Sequence, residues 1–122
     1  MKVLALIFSL LFITPSFGFS QSDPPQSKPK ITFLELGSVS CIPCKKMVPI
    51  MQSIEKKYGA QIKVIFHDVK KDKSKIEQYK VELIPTQVFL DENGKEIHRH
   101  VGYYPEKQID AFLKKRGLKV LS

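Results

Sequence analysis

The sequence predicts an α/β domain with a central mixed sheet of four strands flanked by helices. Three observations lead there. Short β-branched apolar runs alternate with stretches whose apolar residues recur at helical spacing. The last two strand-like runs are separated by Asp91-Glu92-Asn93-Gly94, a hairpin signal. The chain has 122 residues, 43% apolar and 26% charged, which allows one folded domain. That length excludes folds needing about 200 residues or more, such as a (β/α)₈ barrel. Two cysteines are too few for a disulfide-dense scaffold.

The elements follow in order. Ile31 to Leu36 is an apolar run with one charge, Glu35, and suits a buried strand. From Ile42 to Tyr58, Met47, Ile50, Met51, Ile54 and Tyr58 mark the inner face of a helix that stops at Gly59. Pro49, inside it, removes the bond to the Lys45 carbonyl and bends the helix. Ile62 to Val69 is β-branched and reads as the second strand, parallel to the first through a helical crossover. Asp72 to Lys80 is a short helix with Ile76 and Tyr79 turned inward. Thr86 to Leu90 and Glu96 to Val101 form the hairpin. Pro105 opens the last helix in its first turn, with Ile109, Phe112 and Leu113 inside and Lys114-Lys115-Arg116 at the negative end of its dipole.

The domain is preceded by two other segments. Residues 1–18 read as a secretory signal: Met1-Lys2, an apolar stretch from Val3 to Ile13, a break at Thr14-Pro15 and small residues up to Gly18. Cleavage after Gly18 or Ser20 fits equally well, and an uncleaved anchor is the alternative, although the apolar run is short for a span of about 20 residues. Residues 19–30 are rich in Pro, Ser and Gln and read as a flexible linker. The folded domain occupies 31–122. An exported chain, periplasmic or otherwise extracytoplasmic, meets an oxidising compartment.

Cys41 and Cys44 are three apart, a spacing that restrains little unfolded chain and is redox-active or metal-binding more often than structural. Cys41-Ile42-Pro43-Cys44 follows a strand and opens a helix. A thiolate at Cys41 faces unpaired backbone N–H groups and the positive end of the helix dipole, with Lys45 adding charge. Cys41 is therefore expected to be the exposed, attacking thiol. Cys44, one turn further in, is expected to be buried and to act as the resolving thiol. Pro43 costs little in a first turn. Glu35 shares a strand face with Ile31 and Phe33; burial there raises a carboxyl pKa and suits it to accept the proton that Cys44 loses, the alternative being a Glu35 that reaches the surface and pairs with a lysine.

The strand before Cys41-Ile42-Pro43-Cys44-Lys45, Pro49 five residues beyond Cys44, Ile84-Pro85-Thr86 before a strand, the Asn93-Gly94 turn and Val101-Gly102 before the last helix together resemble the thioredoxin family, from Ile31 to Arg116. The resemblance implies a minimal thioredoxin fold, a redox-active dithiol, and a buried acid at the place of Glu35. It implies a cis proline at Pro85, packed against the reactive cysteine. Substrate polypeptide is then expected along Ile84, Pro85 and Thr86, with Gly102 and Tyr103 beside them. Ile42, Pro43 and Lys45 tune the pair. The sequence departs from familiar thioredoxins in having Gly37-Ser38-Val39-Ser40 where a Trp-containing stretch usually stands, no Trp at all, no extra first strand and helix, and Phe66 where a lysine usually accompanies the acid.

The implied activity is thiol–disulfide exchange on protein substrates, with no metal or organic cofactor. Pro43 beside Cys44 resembles the reducing members, so a reductant recharged by a membrane-embedded thiol electron carrier is expected, with cytochrome c maturation one setting. A disulfide oxidase or isomerase is the alternative. A non-catalytic metal-binding module, drawing on Cys41, Cys44 and some of His67, His98 and His100, is the rival of another class. His98-Arg99-His100 reads as a solvated sheet edge. The net charge is +8, and its only dense basic cluster, Lys70-Lys71-Asp72-Lys73-Ser74-Lys75, lacks interleaved aromatics and reads as a solvated helix start or a patch for an acidic partner or anionic membrane surface, not as a nucleic-acid site. A monomer is expected.

Overall fold

The protein is described by a computed structural model covering residue 18 and residues 27–121. The expected signal apart from Gly18 and most of the expected linker lie outside the described residues, and 27–30 carry no helix or strand. Among the described residues no helix is long and apolar enough to cross a membrane.

The elements are β1 (Ile31–Gly37), α1 (Ile42–Tyr58), a short 3₁₀ turn (Gly59–Gln61), β2 (Ile62–Asp68), α2 (Ser74–Tyr79), β3 (Thr86–Asp91), β4 (Glu96–Val101) and α3 (Glu106–Lys115). The sheet order is β2-β1-β3-β4. β1 runs parallel to β2 and antiparallel to β3, and β3 pairs antiparallel with β4. This is the mixed four-stranded sheet that the sequence predicts.

β1 is buried on both faces, as a central strand covered by helices must be. Ile31 and Phe33 join Met47, Ile50, Ile54 and Tyr58 of α1 and Ile109 and Leu113 of α3 in the larger apolar cluster. Phe33 stacks on Phe89 with ring centroids 4.7 Å apart. Leu34 and Leu36 point the other way and pack with Val69 and Val88. α1 stops at Gly59, whose φ of +53° is left-handed territory that glycine enters without a Cβ penalty.

Three expectations are corrected. α2 is shorter than Asp72 to Lys80, because Lys80 turns left-handed at φ +52° and ends it. Ile76 is not inward; it is 37% exposed at the rim of a groove with Val69, Val81 and Leu83, while Tyr79 does pack inward. Pro105 caps α3 and does not occupy its first turn.

Both chain ends of the folded part meet at Gln61. The Lys30 N–H donates to the Gln61 carbonyl at 2.9 Å. The Lys119 N–H donates to Gln61 Oε1 at 2.9 Å, and Gln61 Nε2 donates to the Lys119 carbonyl at 2.7 Å. The Leu121 N–H donates to the Lys57 carbonyl at 2.7 Å.

Candidate active site

The site is assembled at the head of α1. Cys41 is the N-cap, extended at φ −89°, and its Sγ accepts from the Cys44 N–H at 3.3 Å. A sulfur here does the work that a Ser or Asp oxygen does in most N-caps. Cys41 and Cys44 form a disulfide with Cα atoms 5.2 Å apart. Cys41 is partly exposed, whereas Cys44 is 2% exposed. Ile42, Pro43 and Lys45 are exposed around the pair.

Cationic charge gathers at this end. Besides Lys45, the Lys70 ammonium donates to Ser40 Oγ at 2.8 Å, just ahead of Cys41. Together with the Cys44 N–H that donates to its Sγ and the positive end of the α1 dipole, these charges favour a thiolate at Cys41.

Cys44 sits against β1. A Cβ placed on Gly37 would lie 3.0 Å from Cys44 Sγ and 3.5 Å from Phe66 Cε2. Side chains two apart on a strand share a face, so Glu35 lies on the face that meets Cys44. Glu35 is fully buried, and Gln87 Nε2 donates to its Oε1 at 3.3 Å while Oε2 has no hydrogen-bond partner among the described residues. Burial pushes the Glu35 carboxyl up to about 8, with the Gln87 bond acting weakly the other way. Phe66 stands opposite Glu35 on β2. It lines an apolar cavity of about 260 Å³ with Val39, Cys44, Val48 and Met51.

The Ile84–Pro85 peptide is cis. Thr86 pairs with Leu36, so Pro85 falls at the end of the ladder beside Gly37, at the same end of the sheet as Cys44. The Gly102 N–H donates to the Pro85 carbonyl at 2.7 Å, and Gly102 has φ +90°. Thr86 is buried and donates to the Leu83 carbonyl at 2.6 Å. Ile84 is half-buried. Tyr103 is 47% exposed, whereas Tyr104 is buried in the core with Met47. The structure therefore brings Cys41, Cys44, Gly37 and Pro85 to one end of the sheet, joins Gly102 to Pro85, and leaves Tyr103 exposed beside them.

The histidines need correcting. His98 and His100 are not a solvated edge. His98 stacks on Phe112 at 4.6 Å, and His100 lies flat on Tyr104 with centroids 3.9 Å apart and planes 9° apart. His67 points to the other face of the sheet, against Tyr79. Two residues of the site escaped sequence reasoning. Gln87 is fully buried between Glu35 and His100, and His100 Nδ1 lies 2.9 Å from Gln87 Oε1. A polar residue in the middle of the apolar run Thr86–Leu90 was the available signal.

A family model described as a thioredoxin-like domain matches residues 24–117. A thioredoxin-like protein of Synechocystis is 32% identical over 106 residues, covering 87% of this chain and 94% of its own length. The chloroplast thioredoxin Y of rice is 39% identical over 69 residues, which cover 57% of this chain and only 40% of the rice protein. Among solved structures, the germline-specific thioredoxin Deadhead of Drosophila superposes with a TM-score of 0.65 at 30% identity, covering 74% of this chain and 83% of its own. The chain belongs to the thioredoxin-like family, and its CxxC pair at the head of α1 makes it a thiol–disulfide oxidoreductase.

Proposed function

We propose that the protein is an exported reductant of protein disulfides. The observation that carries the reading is the disulfide at the N-terminus of α1, with Cys41 reachable and Cys44 buried. In the reduced protein, the Cys41 thiolate attacks one sulfur of a substrate disulfide. A mixed disulfide forms and the first substrate thiolate leaves. Cys44 then passes its proton to Glu35 and attacks Cys41 Sγ, releasing the second substrate thiolate and closing the Cys41–Cys44 disulfide. Two electrons move to the substrate.

Substrate backbone pairs with Ile84 beside Pro85 and with the segment at Gly102 and Tyr103, where the chain leaves the ladder and strand-like addition is open. Thr86 supports this from below through its bond to Leu83. A membrane-embedded thiol carrier returns the protein to its reduced form, and the protein acts as a monomer. The apolar start of the chain supports export; Pro43 beside Cys44 supports the reducing direction, with cytochrome c maturation as one setting.

The test is the equilibrium of the Cys41–Cys44 pair against a glutathione redox series. A potential near −270 mV, about that of thioredoxin, is expected; one near −120 mV makes the protein an oxidase.

A further inference from the structure

The Glu35 carboxyl, the Gln87 amide and the His100 ring form a row across β1, β3 and β4. The row starts in dry interior, where Glu35 and Gln87 are fully buried, and ends at a histidine with access to solvent. A primary amide has one donating end and one accepting end. With Gln87 Nε2 turned to Glu35, Oε1 faces the ring, and His100 must donate from Nδ1. That arrangement suits an ionised carboxylate, which only accepts. With the amide reversed, Oε1 would face Glu35, and only a protonated carboxyl would satisfy it; Nε2 would then need a bare His100 Nδ1. One amide orientation thus links the Glu35 proton to the proton on His100.

The ring is held for this task. It lies flat on Tyr104, and the Tyr104 hydroxyl is 3.0 Å from His98 Nε2. The charged and titratable groups packed around the row are His98 on β4 and Tyr104 before α3, with Arg116 near His98, and Cys44 from α1, which titrates only once the disulfide is reduced. Lys57, Asp110 and Glu106 between α1 and α3 are engaged with one another.

We propose that His100 is a positioning residue for the resolving step: its Nδ1–H fixes the Gln87 amide with the NH₂ toward Glu35 and so lowers the cost of the ionised form of that carboxyl, the form that receives the Cys44 proton. The proposal rests on the reading of Glu35 as that acceptor.

Two measurements on the full domain separate the two. Carboxyl-carbon NMR follows the titration of Glu35 in the oxidised protein. Stopped-flow decay of a preformed mixed disulfide, at about pH 6 to 9, follows resolution. His100→Ala removes the donor, whereas His100→Asn places Nδ2–H where the ring carried Nδ1–H. His100→Ala is expected to raise the Glu35 midpoint by about one unit and to slow resolution at pH 7 about three- to tenfold. His100→Asn restores both, and Gln87→Leu reproduces the alanine result without touching the histidine. If His100→Ala leaves the midpoint in place, or His100→Asn fails to restore it, the proposal is overturned. If the midpoint moves while the resolution profile does not, the coupling stands and the assignment of Glu35 as acceptor falls.

Discussion

Cys44 Sγ lies so close over Gly37 that a Cβ at that position would stand only 3.0 Å from it, tighter than ordinary van der Waals contact. The contact is between the resolving sulfur and the backbone of the strand that carries Glu35. It explains how a helix residue comes to share a face with a strand carboxyl two positions earlier in β1.

Gly37→Ala forces that sulfur or the strand to move. Overpacking of this kind costs about 1–3 kcal/mol. Urea unfolding of the oxidised protein is expected to show a loss in that range. The resolving step should slow more than the attack by Cys41, because only Cys44 is displaced. Unchanged stability would mean that the head of α1 yields freely.

In the reduced protein Cys41 is expected to alkylate faster than Cys44 at neutral pH, read by mass spectrometry after brief iodoacetamide treatment. Cys44→Ser is expected to accumulate mixed disulfides with protein substrates. If Cys41→Ser is the variant that traps them, the two thiols have exchanged roles.

Glu35 also shapes stability. Its carboxyl is raised from 4.5 to about 8 by burial, so the folded state holds a proton that the unfolded chain has released over that interval. The contribution is full below about pH 4.5, is lost as pH rises toward about 8, and is constant above. Glu35→Gln is expected to flatten this part of the profile and to stabilise the protein at pH 8 by on the order of a few kcal/mol. Thermal melts of both proteins from about pH 5 to 9 check it; parallel profiles would place the carboxyl in contact with water.

Away from the site, Tyr58 is fully buried and donates to Asp110 Oδ1 at 2.9 Å, while Lys57 reaches Asp110 Oδ2 at 2.6 Å. Asp110→Ala strands the hydroxyl and is expected to cost about 1–3 kcal/mol. Little of that comes from the ion pair, because Lys57 is about a third exposed. Asp110→Asn keeps an acceptor and should lose less, and neither should move the reduction potential.

Much of the architecture was legible because periodicity reports burial directly. The near-continuous apolar run of β1 and the inner stripe of α1 carry it, while the Asn93-Gly94 turn declares itself by residue type. The cysteine pair and Glu35 were legible because strand, loop and helix succeed one another along the chain, so sequence distance measures spatial distance. Gln87 and His100 were not. They reach Glu35 only through the registers of two ladders, Glu35 on Gln87 and Gln87 on His100, and no local pattern states a register. The β4 histidines misled for a related reason: the strand is an outer one, yet Phe112 and Tyr104 cover one of its faces. Ile76 misled because a helix of six residues, stopped by the left-handed Lys80, is too short to bury a stripe.

The bonds at Gln61 bear on how the domain is moored. Lys30 on the way in and Lys119 on the way out are both tied to the residue just past the foot of α1, and Cys41 stands at its head. A helix of 17 residues separates these poles by about 25 Å. Anything that holds the protein by its N-terminal side therefore pulls on the pole away from the chemistry. The reactive sulfur is left pointing outward, like the working end of a tool gripped by its handle. A reporter or affinity handle joined beyond Leu121 shares that pole, so immobilised protein should keep its sulfur pair accessible.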